Sequence, residues 1–239
     1  EKEYIIVDVK GVKIGIVAYL YETSLISGAI PTINGNEVPA DAWPLLCTFN
    51  YNTLEDDLLK VEQSIKDARA DGAEIIVCYF HWGEEYQRSP NEYQQYIAKN
   101  TAAYGADIIF ASHPHVLQGI EMITGDAGRK TPVFYSMGNF ISNQRAETLD
   151  NRYTEQGMIA NVKLEFMKST GQTLSVEASA IPTWVDKYKK NRKDIYTIIP
   201  LTGEFSENPS LAESGHYPRA EQALADIKAL LGEEYIKAL

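Results

Sequence analysis

The chain has 239 residues, 44% hydrophobic and 23% charged, a mix that excludes a disordered tail, a collagen-like fibre and a small disulfide-stapled scaffold. A chain of this length buries roughly 70–75% of its unfolded surface and needs neither metal nor disulfide in order to fold, so one domain with a tail is expected. Its 22 basic and 33 acidic residues leave a net charge of −11, which argues against nucleic acid as a partner. No apolar run approaches the roughly 20 residues of a membrane-spanning helix. Cys47 and Cys78 cannot form a disulfide framework; Cys78, in an apolar strand-like run, reads as a buried free thiol. Strand-like residues follow Glu1 at once, with no methionine, signal peptide or lipobox. The chain is therefore expected to be part of a longer protein, with its targeting information elsewhere.

Residues 4–9 and 12–18 are β-rich and flank Lys10-Gly11, which predicts a hairpin. Residues 21–52, with Pro31, Asn34-Gly35, Pro39 and Pro44, read as a long functional loop. Thr53 is a candidate N-cap, followed by Glu55, Asp56 and Asp57 in the first turn. Leu54, Leu58, Val61, Ile65 and Ala68 recur at helical spacing, and Gly72 ends the helix. The apolar run 74–80 reads as a buried parallel strand. Ser89-Pro90-Asn91-Glu92 resembles a capping box, opening a helix that continues through Tyr93, Tyr96, Ile97 and Ala103 to Gly105. Strands follow over 107–111 and 131–135, and this alternation predicts an α/β sheet with right-handed crossovers. Residues 158–166 and 173–181 flank a Ser-Thr-Gly turn and read as an antiparallel hairpin, with a further strand over 195–201. From Pro218 the chain reads as a helix whose Leu224, Ile227 and Leu231 stripe packs in the core.

Three of the four histidines sit just past two predicted strands: His81 in His81-Trp82-Gly83-Glu84-Glu85-Tyr86, and His113 and His115 in Ser112-His113-Pro114-His115. Ligands of open α/β sheets bind beyond the carboxyl ends of the strands. Neighbouring strands lie about 4.8 Å apart, close enough for such residues to converge on an ion. In extended backbone His113 and His115 share a face. A histidine at one strand end is commonly an ordinary hydrogen-bonded residue. Its recurrence at two successive strand ends sets a metal site beside that reading, since neutral imidazole suits Zn, Mn, Fe, Ni or Co. Two ions about 3.5–4 Å apart clamp a phosphate and activate water.

These two motifs, extended through Val116-Leu117-Gln118, and the later Tyr135-Ser136-Met137-Gly138-Asn139-Phe140 together resemble the CapA-type capsule (poly-γ-glutamate) synthesis proteins, which look like members of the calcineurin-like metallophosphoesterase superfamily. The resemblance extends from about residue 1 to at least Leu201. It implies an α/β fold, a metallophosphoesterase-like sheet sandwich flanked by helices, with the N-terminal half of that fold absent from this chain. Residues 1–201 would be the C-terminal part of the CapA-like domain, and 202–239 a linker and C-terminal helix. By the same resemblance His81, His113 and His115 would be metal ligands and catalytic residues of a site holding two divalent ions, Mn, Zn or Fe. His113 would share an ion with His81, and His115 would serve the other.

Ser112 stands where the family has glycine, which bears on a backbone needing positive φ there. The superfamily's Asp-bearing strand, bridging acid and asparagine have no counterpart near residues 1–50, where Asp8 reads as structural. The chain then holds half of a split site, and alone is expected to be inactive. Trp82, Glu85 and Asn139 are candidate substrate contacts. Core packing for Trp82, a solvated loop for Glu84 and Glu85, and a turn cap for Asn139 stand as alternatives. The basic run Lys187, Lys189, Lys190, Arg192 and Lys193 reads as a solvated loop, with a grip on a polyanion as the alternative. His216 reads as incidental.

The intact protein is therefore expected to be a metal-dependent phosphoesterase-like hydrolase of bacterial cell-surface anionic polymer biosynthesis. It would be extracellular, at the cell surface or anchored through a segment outside this chain. Its expected partners are the missing N-terminal half, an anionic polymer or phosphoester substrate, and membrane subunits of a polymer synthase. Two rivals stand beside this: a non-catalytic accessory that kept the fold for binding, and a cytosolic phosphoesterase unrelated to capsule.

Overall fold

The computed structural model describes residues 2–24, 31–125, 128–168 and 172–237. Strands β1 (Ile5–Val9) and β2 (Val12–Ser24) form the expected hairpin. Its turn places Lys10 and Gly11 at φ 54° and 84°, and Asp8 accepts the Gly11 amide at 2.8 Å, a structural use of that carboxylate.

The stretch expected to be one long loop carries structure instead. Strand β2 runs on past residue 21. Short strands β3 (Pro31–Ile33) and β4 (Asn36–Glu37) pair around Asn34-Gly35, and β5 (Thr48–Phe49) pairs with β2 in parallel. Aromatic stacking explains why a polar-looking segment orders. Tyr21 and Tyr51 stack at 4.1 Å, and Phe49 beside them is 1% exposed.

Helix α1 (Leu54–Ala70) follows. Thr53 occupies the N-cap position, but its side chain makes no cap bond. The Asp57 carboxylate ties the entry instead, accepting from the Asn50 amide (3.0 Å), the Thr53 hydroxyl and the Lys60 ammonium (both 2.7 Å). Strand β6 (Ile75–His81) leads to α2 (Glu92–Tyr104). Its capping box is made by Asn91 and Gln94, further along the chain than the expected Ser89 and Glu92. Gly105 ends it at φ 117°. Strands β7 (Ile108–Ser112), β8 (Ile120–Thr124) and β9 (Lys130–Phe134) complete the first sheet; β8 is a short antiparallel neighbour of β9 that the sequence pattern does not single out.

The sheet's strand order is β4-β3-β2-β6-β7-β9-β8, with β1 and β5 also on β2, and β2, β6, β7 and β9 run parallel. A second, antiparallel sheet joins β10 (Gln156–Met167), β11 (Gln172–Lys190) and β12 (Lys193–Pro200). The Ser-Thr-Gly turn expected between β10 and β11 lies outside the described residues.

Successive side chains of a strand point to opposite faces, and β9 shows where they go. Val133 joins a core with α1 and α2 (Val61, Ile65, Ile97), while Phe134 joins a second core. That second core contains Met158 and Trp184 of the antiparallel sheet, Leu211 from α4 (Pro209–Ser214), and Ala223, Ile227 and Leu231 of α5 (Tyr217–Leu231); the short α3 (Ala146–Leu149) lies between the sheets in sequence. The architecture is α/β: two sheets packed together, with helices outside, and the terminal helix belongs to the second core. Both cysteines are free, and Cys78 is fully buried.

Candidate functional site

The parallel register aligns Leu20, His81 and Ser112 across β2, β6 and β7, so the loops after these strands share one rim. Two backbone bonds stitch the histidine loops together: Trp82 N–H to Ser112 O (3.1 Å) and Tyr86 N–H to Pro114 O (2.7 Å). The His81 and His113 ring centroids lie 4.6 Å apart, and those of His113 and His115 6.4 Å. The rim thus gathers the three predicted imidazoles.

Residues 113 and 115 are not extended, as the shared-face reading requires. His113 has φ 109° and His115 φ 59°, on either side of Pro114. The left-handed position falls on His113, and Ser112 keeps an ordinary strand backbone, so serine there introduces no strain.

Burial and the neighbouring His113 and His115 rings hold His81 well below the usual imidazole range, to about 4. Burial lowers His113 as well, against the opposing pull of Glu85. Both rings are therefore neutral at pH 7, as a metal ligand must be. The Nδ1 of His113 is buried without a hydrogen-bond partner. The His81 Nε2 lies 3.0 Å from Asn34 Oδ1, at the tip of the β3–β4 hairpin. The His115 Nδ1 lies 3.0 Å from Asn139 Oδ1, and its Nε2 lies 3.9 Å from Glu85 Oε1. An orphaned buried nitrogen among neutral imidazoles fits nitrogen ligation of divalent ions. A full ligand set is a different matter: among the described residues, no three His, Cys, Asp or Glu side chains group tightly enough to hold an ion.

Trp82 does not face the rim. It is fully buried, stacks on Phe80 at 4.9 Å and donates its indole N–H to the Tyr135 carbonyl at 2.9 Å, so it supports the loop from below. Glu84 and Glu85 are exposed, and Glu85 is the one that leans towards the histidines. Asn139 turns its amide to His115, Thr154 and Gln144. In the sequence Asn34 reads only as part of a turn. Its place beside His81 depends on the pairing of β2 with β3, which no local signal encodes.

Away from the rim, the basic run is a hairpin of β11 and β12. Lys187 and Lys189 lie 3.5 and 3.8 Å from Asp194, and Lys190 lies 2.9 Å from Glu213. His216 is not incidental: its Nδ1 meets the fully buried Asp186 at 2.7 Å.

The chain belongs to the family described as bacterial capsule synthesis protein PGA_cap, which matches residues 1–144 and so encloses the whole histidine rim; the 198–201 segment lies beyond the match. It is 33% identical over 143 residues to the capsule biosynthesis protein CapA of Bacillus anthracis, covering 60% of this chain and 30% of that protein. It is 46% identical over 72 residues to the PGA biosynthesis protein CapA of Bacillus subtilis (strain 168), covering 30% of this chain and 18% of that protein. The chain thus aligns with under a third of each relative's length. A crystal structure of a hypothetical protein from Thermus thermophilus superposes with a TM-score of 0.39 and 8% identity, covering 75% of this chain and 62% of that one.

Proposed function

We propose that this chain contributes the imidazole half of a divalent-metal, phosphoesterase-like site in a CapA-type protein of cell-surface anionic polymer production. The observation that carries the reading is the buried, unpartnered Nδ1 of His113, with its ring 4.6 Å from that of His81. His81, His113 and His115 would hold the ions (Mn, Zn or Fe, two in the intact protein), and carboxylates from outside these 239 residues would complete the set. Bound ions supply an activated water and charge neutralisation for attack on a phosphorus centre. The chain's own task is to keep His81 and His113 neutral and to hold all three rings in orientation between the Trp82 and Asn34 loops. The working place of the intact protein would be the cell surface.

A second reading makes the protein a non-catalytic accessory of the polymer synthase. The observation favouring it is the 187–193 hairpin, a cationic patch on an acidic chain, suited to an anionic polymer. The test is metal content and hydrolysis of a bis-aryl phosphodiester by the full-length protein with Mn2+ or Zn2+. Bound transition metal and activity, both lost in His113→Ala, support the first reading. Absence of both from the wild-type protein overturns it in favour of the accessory role.

A further inference from the structure

The contacts of one side-chain amide determine where His115 keeps its proton. Asn139 Nδ2 lies 2.9 Å from the Thr154 carbonyl oxygen and 3.2 Å from Gln144 Oε1. A backbone carbonyl can only accept, so the amide's nitrogen end must face Thr154. Gln144 Oε1 accepts from the same nitrogen, and its own Nε2 donates to the Tyr86 hydroxyl at 3.3 Å. The Asn139 oxygen is then the atom 3.0 Å from His115 Nδ1. An amide oxygen also only accepts, so Nδ1 carries a proton, and in the neutral ring Nε2 then keeps its lone pair.

That lone pair faces a carboxylate. The His115 Nε2 lies 3.9 Å from Glu85 Oε1. With the ring neutral, two acceptors face each other across a gap too long for a hydrogen bond. The gap is within the span of two metal–ligand bonds of about 2.1 Å each. Tyr86, stacked on His115 with ring centroids 6.1 Å apart, limits rotation of the ring.

We propose that Asn139 is a positioning residue, not a substrate contact: it holds His115 as the Nδ1–H tautomer so that Nε2 and Glu85 form a two-ligand cation seat. Glu85 thereby supplies a carboxylate from this chain to the imidazoles. The inference rests on the rim being a metal site, and it adds to that site a ligand and the amide that orients its neighbour.

The test uses the full-length protein with 15N-labelled histidine, and Zn2+ as the probe. Long-range 1H–15N correlation at pH 8 should show His115 protonated at Nδ1. Asn139→Leu should lose that pattern and weaken Zn2+ binding by about 10–100-fold, the usual effect of removing a group that orients a metal ligand. Glu85→Gln, at an exposed position that does not endanger folding, should keep the tautomer yet weaken Zn2+ binding by about tenfold or more, since a charged ligand becomes neutral. A wild-type His115 protonated at Nε2 overturns the positioning role. Zn2+ binding unchanged by Glu85→Gln overturns the seat while leaving a histidine-based metal site standing. No Zn2+ binding by the wild-type full-length protein overturns the seat and the proposed function together.

Discussion

Gly83 is the hinge of the first histidine loop, and replacing it with alanine should cost far more than an ordinary surface change. Its φ is 88°, and an added Cβ would lie 2.7 Å from Gln94 Cδ and Oε1 and 2.8 Å from Nε2. Gln94 has no free volume in which to retreat, being 1% exposed. Its Oε1 accepts the Asn91 amide at 3.0 Å, closing the capping box of α2, and its Nε2 donates to Gln118 Oε1 at 2.8 Å. Gln118 in turn holds the Gln87 and Ser89 carbonyls at 2.9 and 3.1 Å, bracing the end of the same loop. A side chain in the left-handed region costs about 1–2 kcal/mol, a lost cap about 1, and an orphaned buried amide about 1–3, so Gly83→Ala should lose roughly 3–6 kcal/mol. Gln94→Ala removes the obstruction. The double variant should then lose the bonds once, add the φ strain, and fall short of additivity by about 2–4 kcal/mol. Guanidinium unfolding of the four proteins measures the cycle, provided the slopes agree. Additive losses, or a Gly83→Ala loss below about 1 kcal/mol, would refute the proposed clash.

Gly138, at φ 66°, meets backbone first, with Gln156 O at 2.5 Å from an added Cβ, then Leu117 Cδ2 at 3.1 Å and Gly157 Cα at 3.2 Å. Gly138→Ala should therefore cost at least about 3 kcal/mol in the same assay, with no rescuing partner substitution. Asp57 gives a pH signature. Burial pushes its carboxyl up, but bonds from Lys60, Thr53 and Asn50 outweigh this and hold it below the usual range. Its stabilisation is present above the unfolded carboxylate value of about 3.9 and is lost as pH falls through the lower folded value. The stability gap between wild type and Asp57→Asn should be constant above pH of about 5 and shrink below about 4, and a gap that grows on acidification would contradict the assignment. His216→Ala strands the fully buried Asp186, whose Oδ2 has no partner even in the wild type. The loss should approach about 3 kcal/mol, and His216→Ala with Asp186→Val should recover most of it, because removing both members of a buried pair costs less than removing one.

The sheet is legible because buried parallel strands announce themselves as apolar runs bounded by Gly and polar residues. Residues 74–80 and 107–111 correspond to β6 and β7, and counting alone places the histidines at their ends. What cannot be read depends on partners distant in sequence. Asn34 reaches His81 only because β2 outruns its own hairpin and pairs with β3. Asn139 suits substrate, turn or ligand equally until Thr154 supplies an acceptor for its nitrogen. The lysines of 187–193 alternate poorly with apolar residues, so a 19-residue strand ending in them reads as loop. His216 takes its meaning from Asp186, which lies far back in the sequence on another element.

The backbone at the rim shows why local pattern stops short there. Tyr86, His113 and His115 all have positive φ, at 66°, 109° and 59°. Such positions cost on the order of 1–3 kcal/mol each for residues other than glycine, and they persist only where surrounding structure enforces them. Here the enforcement is visible in the Trp82–Ser112 and Tyr86–Pro114 backbone bonds and in the amide clasp on Asn139. Had the chain after β7 stayed extended, His113 and His115 would have run on past the sheet along the strand axis. The turn at His113 folds the chain back beside the end of β6, where His81 stands. Three strained non-glycine residues thus meet in the two loops that carry the imidazoles. Conflict between local preference and global fold is concentrated where a site is built rather than where a core is packed.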